Sequence, residues 1–229
     1  MTTEWLRSIA AAWAPVRRAI ATFAPNRSRV FIRRYAELDP RARRVFLTQW
    51  LRRFTGVDTA LASPGGRSYR NVVFVCHGNI LRSPFAAAVL SQLLSESPGS
   101  GTTVSSAGIH ARAKRGADPR GIAAAMARGV NLENHGARLL SADVVRDADL
   151  VVVMDFANEA ELLAQFPASR TKLRLLGTFD ALPRASIEIA DPYTMSDDGV
   201  ERSFDDILRC VRNLHATMNL VAAPLRPVA

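Results

Sequence analysis

Two cysteines, far apart in the chain, are the only thiols among 229 residues. So few exclude a disulfide framework, and no Cys/His spacing suggests a metal-ligand set. Neither a cofactor nor a metal is expected. No apolar run reaches the length that spans a bilayer. Arg7, Pro15, Arg17 and Arg18 interrupt the amino-terminal stretch too often for a signal peptide. With free thiol chemistry, these absences point to a reducing compartment, the cytoplasm. There is no internal repeat and no low-complexity tract. Lysine is missing altogether from residues 1–70.

Arginine is present in quantity and unevenly placed. The net charge is +9. Residues 1–70 hold 14 Arg against Glu4, Glu37, Asp39 and Asp58, so this extension carries +10. The remainder, with 16 basic and 17 acidic residues, carries −1. All three tryptophans also lie in the extension. Trp5, Leu6, Ile9, Ala10, Trp13 and Val16 recur at helical spacing. Asp39 followed by Pro40 starts a second helix, RARRVFLTQWLRRF, with Phe46, Trp50 and Phe54 on one stripe. Basic amphipathic helices of this kind dock on proteins or on anionic membranes. The plainer reading is a small helical subdomain packed on the rest of the chain, its arginines solvated. No nucleic-acid-reading motif accompanies the arginines. Gly56 to Ser68 is rich in small and turn-forming residues and reads as a linker. The expected organisation is a basic helical extension over 1–68 and a second domain over 69–229.

The chain is organised around VVFVCHGNILRSPFA, Val72 to Ala86. Val72 to Val75 are four apolar β-formers in a row, which suits a strand covered on both faces. Ser83 and Pro84 read as an N-cap and a first helical position. Between strand and helix lies a loop holding Cys76, His77, Gly78, Asn79, Ile80, Leu81 and Arg82. Such a loop can turn its amides inward as a nest for an anion, helped by the helix N-terminus. Arg82 adds a planar fork matching two phosphate oxygens. A cysteine facing that field is favoured as thiolate, a nucleophile beneath a bound phosphate. Gly78 allows close approach to the anion, and Asn79 tolerates left-handed backbone angles. A cysteine ending a buried strand is, however, most often a small core residue.

Further strands are expected over Thr102 to Ser106, Leu150 to Met154 and Leu173 to Leu176. Between and after them, helices are expected over Arg120 to Arg128, Ser141 to Asp147, Glu159 to Phe166 and Phe204 to Met218. Alternation of strands and helices implies an α/β fold, a four-stranded parallel sheet with helices on both faces. The phosphate loop then lies at the carboxyl ends of the strands, where such sheets bind ligands.

VCHGNILRSPFA resembles the signature of the low-molecular-weight protein tyrosine phosphatases. So do SSAG at Ser105 to Gly108, ADPRG at Ala117 to Gly121, NHGARLL at Asn134 to Leu140 and DADLVVVMD ending at Asp155. LLGTFD, ending at Asp180, and ADPY at Ala190 to Tyr193 come next in the same order. The resemblance covers roughly Arg70 to Met218 and not the extension. It implies that Cys76 forms a phosphocysteine, that Arg82 binds phosphate, and that Asp191 is general acid and then base. By spacing alone Asp191 is ordinary, since Asp-Pro usually marks a turn; Asp197 and Asp198 are nearby rivals. The resemblance also ties Asn79 to Ser106 and His135, lets Ser83 donate to the thiolate, and lets Tyr193 flank the substrate. Asp155 reads as structural and Cys210 as core. The expected substrate is a phosphotyrosine protein or a small phosphomonoester.

Two departures stand out. Leu81 occupies the place where many members carry a second, protective cysteine, so oxidised Cys76 should pass more readily to irreversible states. The loop Ile109 to Gly116 lacks an aromatic and carries Arg112, Lys114 and Arg115, a basic pocket wall suited to acidic phosphopeptides. The competing readings are arsenate reductase, which needs further cysteines nearby, and a non-catalytic phosphate-binding module.

Overall fold

The computed structural model describes residues 34–54, 69–96, 101–180 and 187–222. The helix expected between Trp5 and Val16 and the linker between Gly56 and Ser68 lie outside these residues.

The apolar run forms strand β1, Asn71–Cys76, and it is buried on both sides as its composition requires. Three further strands flank it: β2 (Thr103–Gly108), β3 (Leu150–Val153) and β4 (Leu173–Leu175). All pairings are parallel and the order is β2-β1-β3-β4. Side chains alternate across β1. Val72, Phe74 and Cys76 face one apolar cluster, Val73 and Val75 the other.

The first cluster is closed by helices α2 (Arg82–Ser95), α3 (Pro119–Met126) and α6 (Asp197–Ala222). Phe85 of α2 stacks on Phe204 of α6, with ring centroids 4.1 Å apart and both residues fully buried. Each ring contributes about 2–3 kcal/mol by leaving water. The second cluster is closed by α4 (Ala142–Asp147) and α5 (Phe156–Gln165). Outside α5 lies one more layer, α1 (Pro40–Phe54), whose Ala42 and Phe46 pack with Leu38 against Ala160 of α5.

Side chains start these helices. Asp118 caps α3, Ser141 caps α4 and Asp155 caps α5, each accepting from a backbone N–H of the first turn. The helix α6 begins at Asp197, well before the apolar face that starts at Phe204. Its first turn is polar and acidic, which the positive end of the helix dipole favours and which apolar periodicity cannot show.

The first correction falls on Ser83. It does not cap α2: the capping position is Leu81, and no side chain caps that end. The hydroxyl of Ser83 is engaged inside the phosphate loop instead. The second falls on α1. Its buried face runs through Ala42, Phe46 and Gln49, continuing Leu38 just before the helix, and Trp50 is 49% exposed.

The chain moves from β1 to β2 on one side and from β3 to β4 on the other, so its progress across the sheet reverses between β1 and β3. The carboxyl ends of strands at such a reversal border a crevice. The loop Cys76–Arg82 leads from β1 into it.

Candidate active site

The nucleophile candidate lies where β1 ends. Cys76 is 3% exposed, and its Sγ accepts from the amide of Asn79 at 3.2 Å and lies 3.1 Å from Ser83 Oγ. Ser83 Oγ accepts from Asn79 Nδ2 at 2.8 Å. Its single proton is therefore left for Sγ or for the Ala107 carbonyl, 3.3 Å away. Against a thiolate it goes to sulfur, the charged acceptor.

Asn79 is the keystone of the loop. Its φ is 54°, a left-handed conformation that asparagine tolerates better than most residues. It is fully buried. Its Nδ2 donates to Ser83 Oγ and to Ser106 Oγ, and its Oδ1 accepts from the Arg138 amide. His135 Nε2 lies 2.7 Å from the Asn79 carbonyl, which can only accept, so that nitrogen carries the proton. Ser106 and His135 thus meet at Asn79. Ile80 and Leu81 turn inward and are buried, while His77 is exposed and Gly78 half-buried.

Gly78 and Gly108 differ in what they require. A methyl at Gly78 would meet only Ile80, at 3.7 Å. A methyl at Gly108, the last residue of β2, would come within 2.8 Å of Asn79 N and His77 O. The backbone-to-backbone packing that demands glycine is at Gly108.

Arg82 is 2% exposed. Its Nη1 donates to Asp155 Oδ2 at 2.7 Å and to the Ile189 carbonyl at 3.1 Å; its Nη2 donates to Asp191 Oδ2 at 2.7 Å. Burial opposes its charge, but Asp155, Asp191 and Cys76 outweigh burial and hold the guanidinium protonated more firmly than usual. Asp155 is the counterpart. Burial would raise its pKa, yet Arg82 and Arg34 prevail and hold it below the usual carboxylate range. The structural role expected of Asp155 is specific: it anchors Arg82 while capping α5. Its place at the end of a strand neighbouring β1 is the sequence signal for that role.

Asp191 faces the cleft from a short 3₁₀ turn, Pro192–Thr194, and accepts from the Tyr193 amide. Its side chain is 38% exposed. The rivals Asp197 and Asp198 lie in the first turn of α6. Tyr193 is half exposed at the rim. Arg120 holds this segment, donating to the Tyr193 and Met195 carbonyls while bonded to Asp118. Nothing in the ADPRG segment by itself signals that task for Arg120.

The cleft is lined by His77, Arg82, Asp191 and Tyr193, and also by Arg34 and Leu38 from the extension. Arg112, Lys114 and Arg115 are not among the described residues that line it. The expected basic wall is thus corrected. The loop after β2 carries them to the neighbourhood of 135–138, where Lys114 N and Arg115 O pair with Ala137. The cation that the extension contributes, Arg34, is bound to Glu188 at 2.6 Å, and Glu188 accepts from the Phe156 amide. Burial pushes Glu188 above the usual carboxylate range, against the pull of Arg34 and that amide.

Residues 71–222 match the family described as low molecular weight phosphotyrosine protein phosphatase. The chain belongs to this family. It is 34% identical over 151 residues to the low molecular weight protein-tyrosine-phosphatase Wzb of Salmonella typhi, covering 66% of this chain and 95% of the relative. Its fold matches the tyrosine phosphatase amsI of Erwinia amylovora with a TM-score of 0.58 and 32% identity, over 65% of this chain and 92% of that one. The arginine phosphatase YwlE of Geobacillus stearothermophilus matches with a TM-score of 0.59 over 66% of this chain and 94% of its own. At 24% identity, that likeness speaks for the fold alone. No helix among the described residues is long and apolar enough to cross a membrane.

Proposed function

We propose that this phosphatase hydrolyses phosphotyrosine in proteins through a phosphocysteine at Cys76. The convergence of three side chains carries the reading: Cys76 is cradled by Asn79 N and Ser83, and Arg82, at the far end of the same loop, is bonded to Asp191. The thiolate attacks phosphorus along the line opposite the leaving oxygen. An S–P bond forms, the P–O bond breaks, and Asp191 gives its proton to the departing phenolate oxygen. Arg82 and the backbone amides of the loop carry the charge spread over the three equatorial oxygens. Asp191 then takes a proton from the water that cleaves the S–P bond, and free phosphate leaves. Ser83 stabilises the sulfur anion as attacking group and as leaving group. Asn79, held by Ser106 and His135, keeps the loop in its anion-binding shape. Tyr193 flanks the aromatic ring of the substrate.

Hydrolysis of p-nitrophenyl phosphate tests the assignment. Wild-type turnover is expected, no turnover from Cys76→Ser, and a kcat about 10²–10⁴-fold lower for Asp191→Ala. An active Cys76→Ser enzyme overturns it. Parallel assays on phosphotyrosine, phosphoserine and phosphoarginine peptides test the substrate class. Arsenate reduction would need further cysteines near Cys76; the one other cysteine, Cys210, is buried in the apolar cluster beside α6.

We further propose that the extension docks this cytoplasmic enzyme on an anionic partner, a membrane face or an acidic protein. Leu47, Trp50 and Leu51 are exposed on α1, beside exposed Arg41 and Arg44.

A further inference from the structure

One cluster of chemically capable side chains on the cleft has no part in phosphoryl transfer. His77 directly succeeds Cys76 at the end of β1, and His110 lies just past the end of β2. The His110 amide donates to the His77 carbonyl at 2.9 Å, so the two backbones are pinned to each other by the ends of paired strands. Their rings lie 4.6 Å apart, centroid to centroid, tilted by 38°. Across from them, Glu161 projects from the rigid helix α5 and brings Oε1 within 3.1 Å of His110 Nε2. One ligand atom from each of His77, His110 and Glu161 lies within 4.8 Å of the other two. The His77 ring makes no hydrogen bond among the described residues, and the His110 ring makes one, to Glu161.

We infer that His77, His110 and Glu161 form a binding site for a borderline divalent cation of the zinc class, and that the bound ion inhibits the enzyme. Two imidazoles and one carboxylate are the donor set of open zinc sites, in which three protein ligands leave a fourth position for another group. Imidazole nitrogen selects zinc, copper or nickel over magnesium and calcium, which take oxygen ligands. Ligand atoms about 2.1 Å from a tetrahedral ion stand roughly 3.4 Å apart. Small rotations of the two exposed rings close the present gaps, because the backbones already converge.

His77 and Glu161 line the same cleft as Arg82 and Asp191. An ion held there presents its fourth position to the space that the phosphate crosses. It draws a phosphate oxygen outward or retains the product, and turnover falls either way. The binding stands apart from the phosphatase reading; the inhibition rests on it.

The experiment uses the full chain and zinc or cobalt(II) alone. Calorimetry with zinc and visible absorption of bound cobalt measure binding without any turnover. Cys76→Ser is expected to bind zinc as wild type does. His110→Ala and Glu161→Gln are expected to bind it more than about 10-fold more weakly, the smallest loss that even an outer-shell partner causes. Without metal both variants are expected to hydrolyse p-nitrophenyl phosphate as wild type does. In zinc-buffered assays their inhibition midpoint rises by the same factor as their dissociation constant. Circular dichroism confirms that each variant is folded. Loss of zinc binding in Cys76→Ser, with His110→Ala and Glu161→Gln unaffected, places the ion on the thiolate and overturns the proposal. Zinc bound by wild type with undiminished turnover overturns it equally.

Discussion

Gly108 has no side chain, and the phosphate loop takes up the space one would need. The substitution Gly108→Ala drives a methyl against Asn79 N and His77 O, both backbone atoms that cannot step aside without moving the loop. It is expected to cut kcat/KM by about 100-fold or more while leaving the sheet folded, since small misplacements of reacting groups are costly. Steady-state kinetics beside a circular dichroism spectrum checks this; a fully active variant would show that the loop accommodates a methyl. Asp155 is the other decisive residue at this scale. Asp155→Asn leaves Arg82 buried without one of its counter-charges and is expected to cost about 3 kcal/mol at neutral pH. The folded state holds the Asp155 pKa below its unfolded value of about 3.9, so the stabilisation is complete above that value and lost as pH falls through the folded one. The stability gap between wild type and variant therefore narrows below about pH 4, measured by urea unfolding across pH. Leu81, buried within the loop, stands at the position where the family resemblance implies a second, protective cysteine in many members. Peroxide-treated enzyme is expected to recover only partly with dithiothreitol; complete recovery counts against that view.

Among the elements, α1 shows how a helix far from the nucleophile reaches the chemistry. Its apolar contact on α5 is modest, and a polar group of side chains surrounds it. Gln49 accepts from Arg170 at 2.8 Å, Arg53 pairs with the buried Glu159, and Arg53 also lies over the Phe156 ring at 3.9 Å. Just ahead of α1, Arg34 binds Glu188. Glu188 adjoins Ile189, whose carbonyl accepts from Arg82, and Asp191 comes two residues later. Arg34 is therefore expected to help position the segment that carries Asp191. Because the pair is partly exposed, its worth is at most about 1 kcal/mol, or roughly fivefold in kcat/KM. The expected pattern is a loss of that size for Arg34→Ala in the wild-type background and no further loss when it is added to Glu188→Gln, as a double-mutant cycle reads it.

For the whole molecule, charge and fold are divided between two stretches of chain. The extension carries +10 and the remainder −1. Full-length protein is therefore expected to sediment with anionic vesicles at low salt, not with neutral ones, and to be released as salt screens the arginines. Equal recovery with both vesicle types would leave the acidic-protein partner as the remaining occupant.

The order and type of the elements can be read from residues alone, because β-branched runs and apolar periodicity are local signals and local sterics answer to them. Cys76 and Arg82 are legible as a pair because both belong to one loop between a strand and a helix; Asp191 is legible only through the family resemblance, since an Asp-Pro pair by itself marks a turn. Contacts between distant segments decided the rest. A stripe through Trp50 and one through Gln49 fit the α1 period equally well, and only partners on α5 and at Arg170 made the polar choice the buried one. Ser83 could cap a helix or serve a sulfur; the second won because Asn79 stands over it in the folded loop. Asp155 on Arg82, and the meeting of His77, His110 and Glu161, exist only once parallel strands set their carboxyl ends side by side.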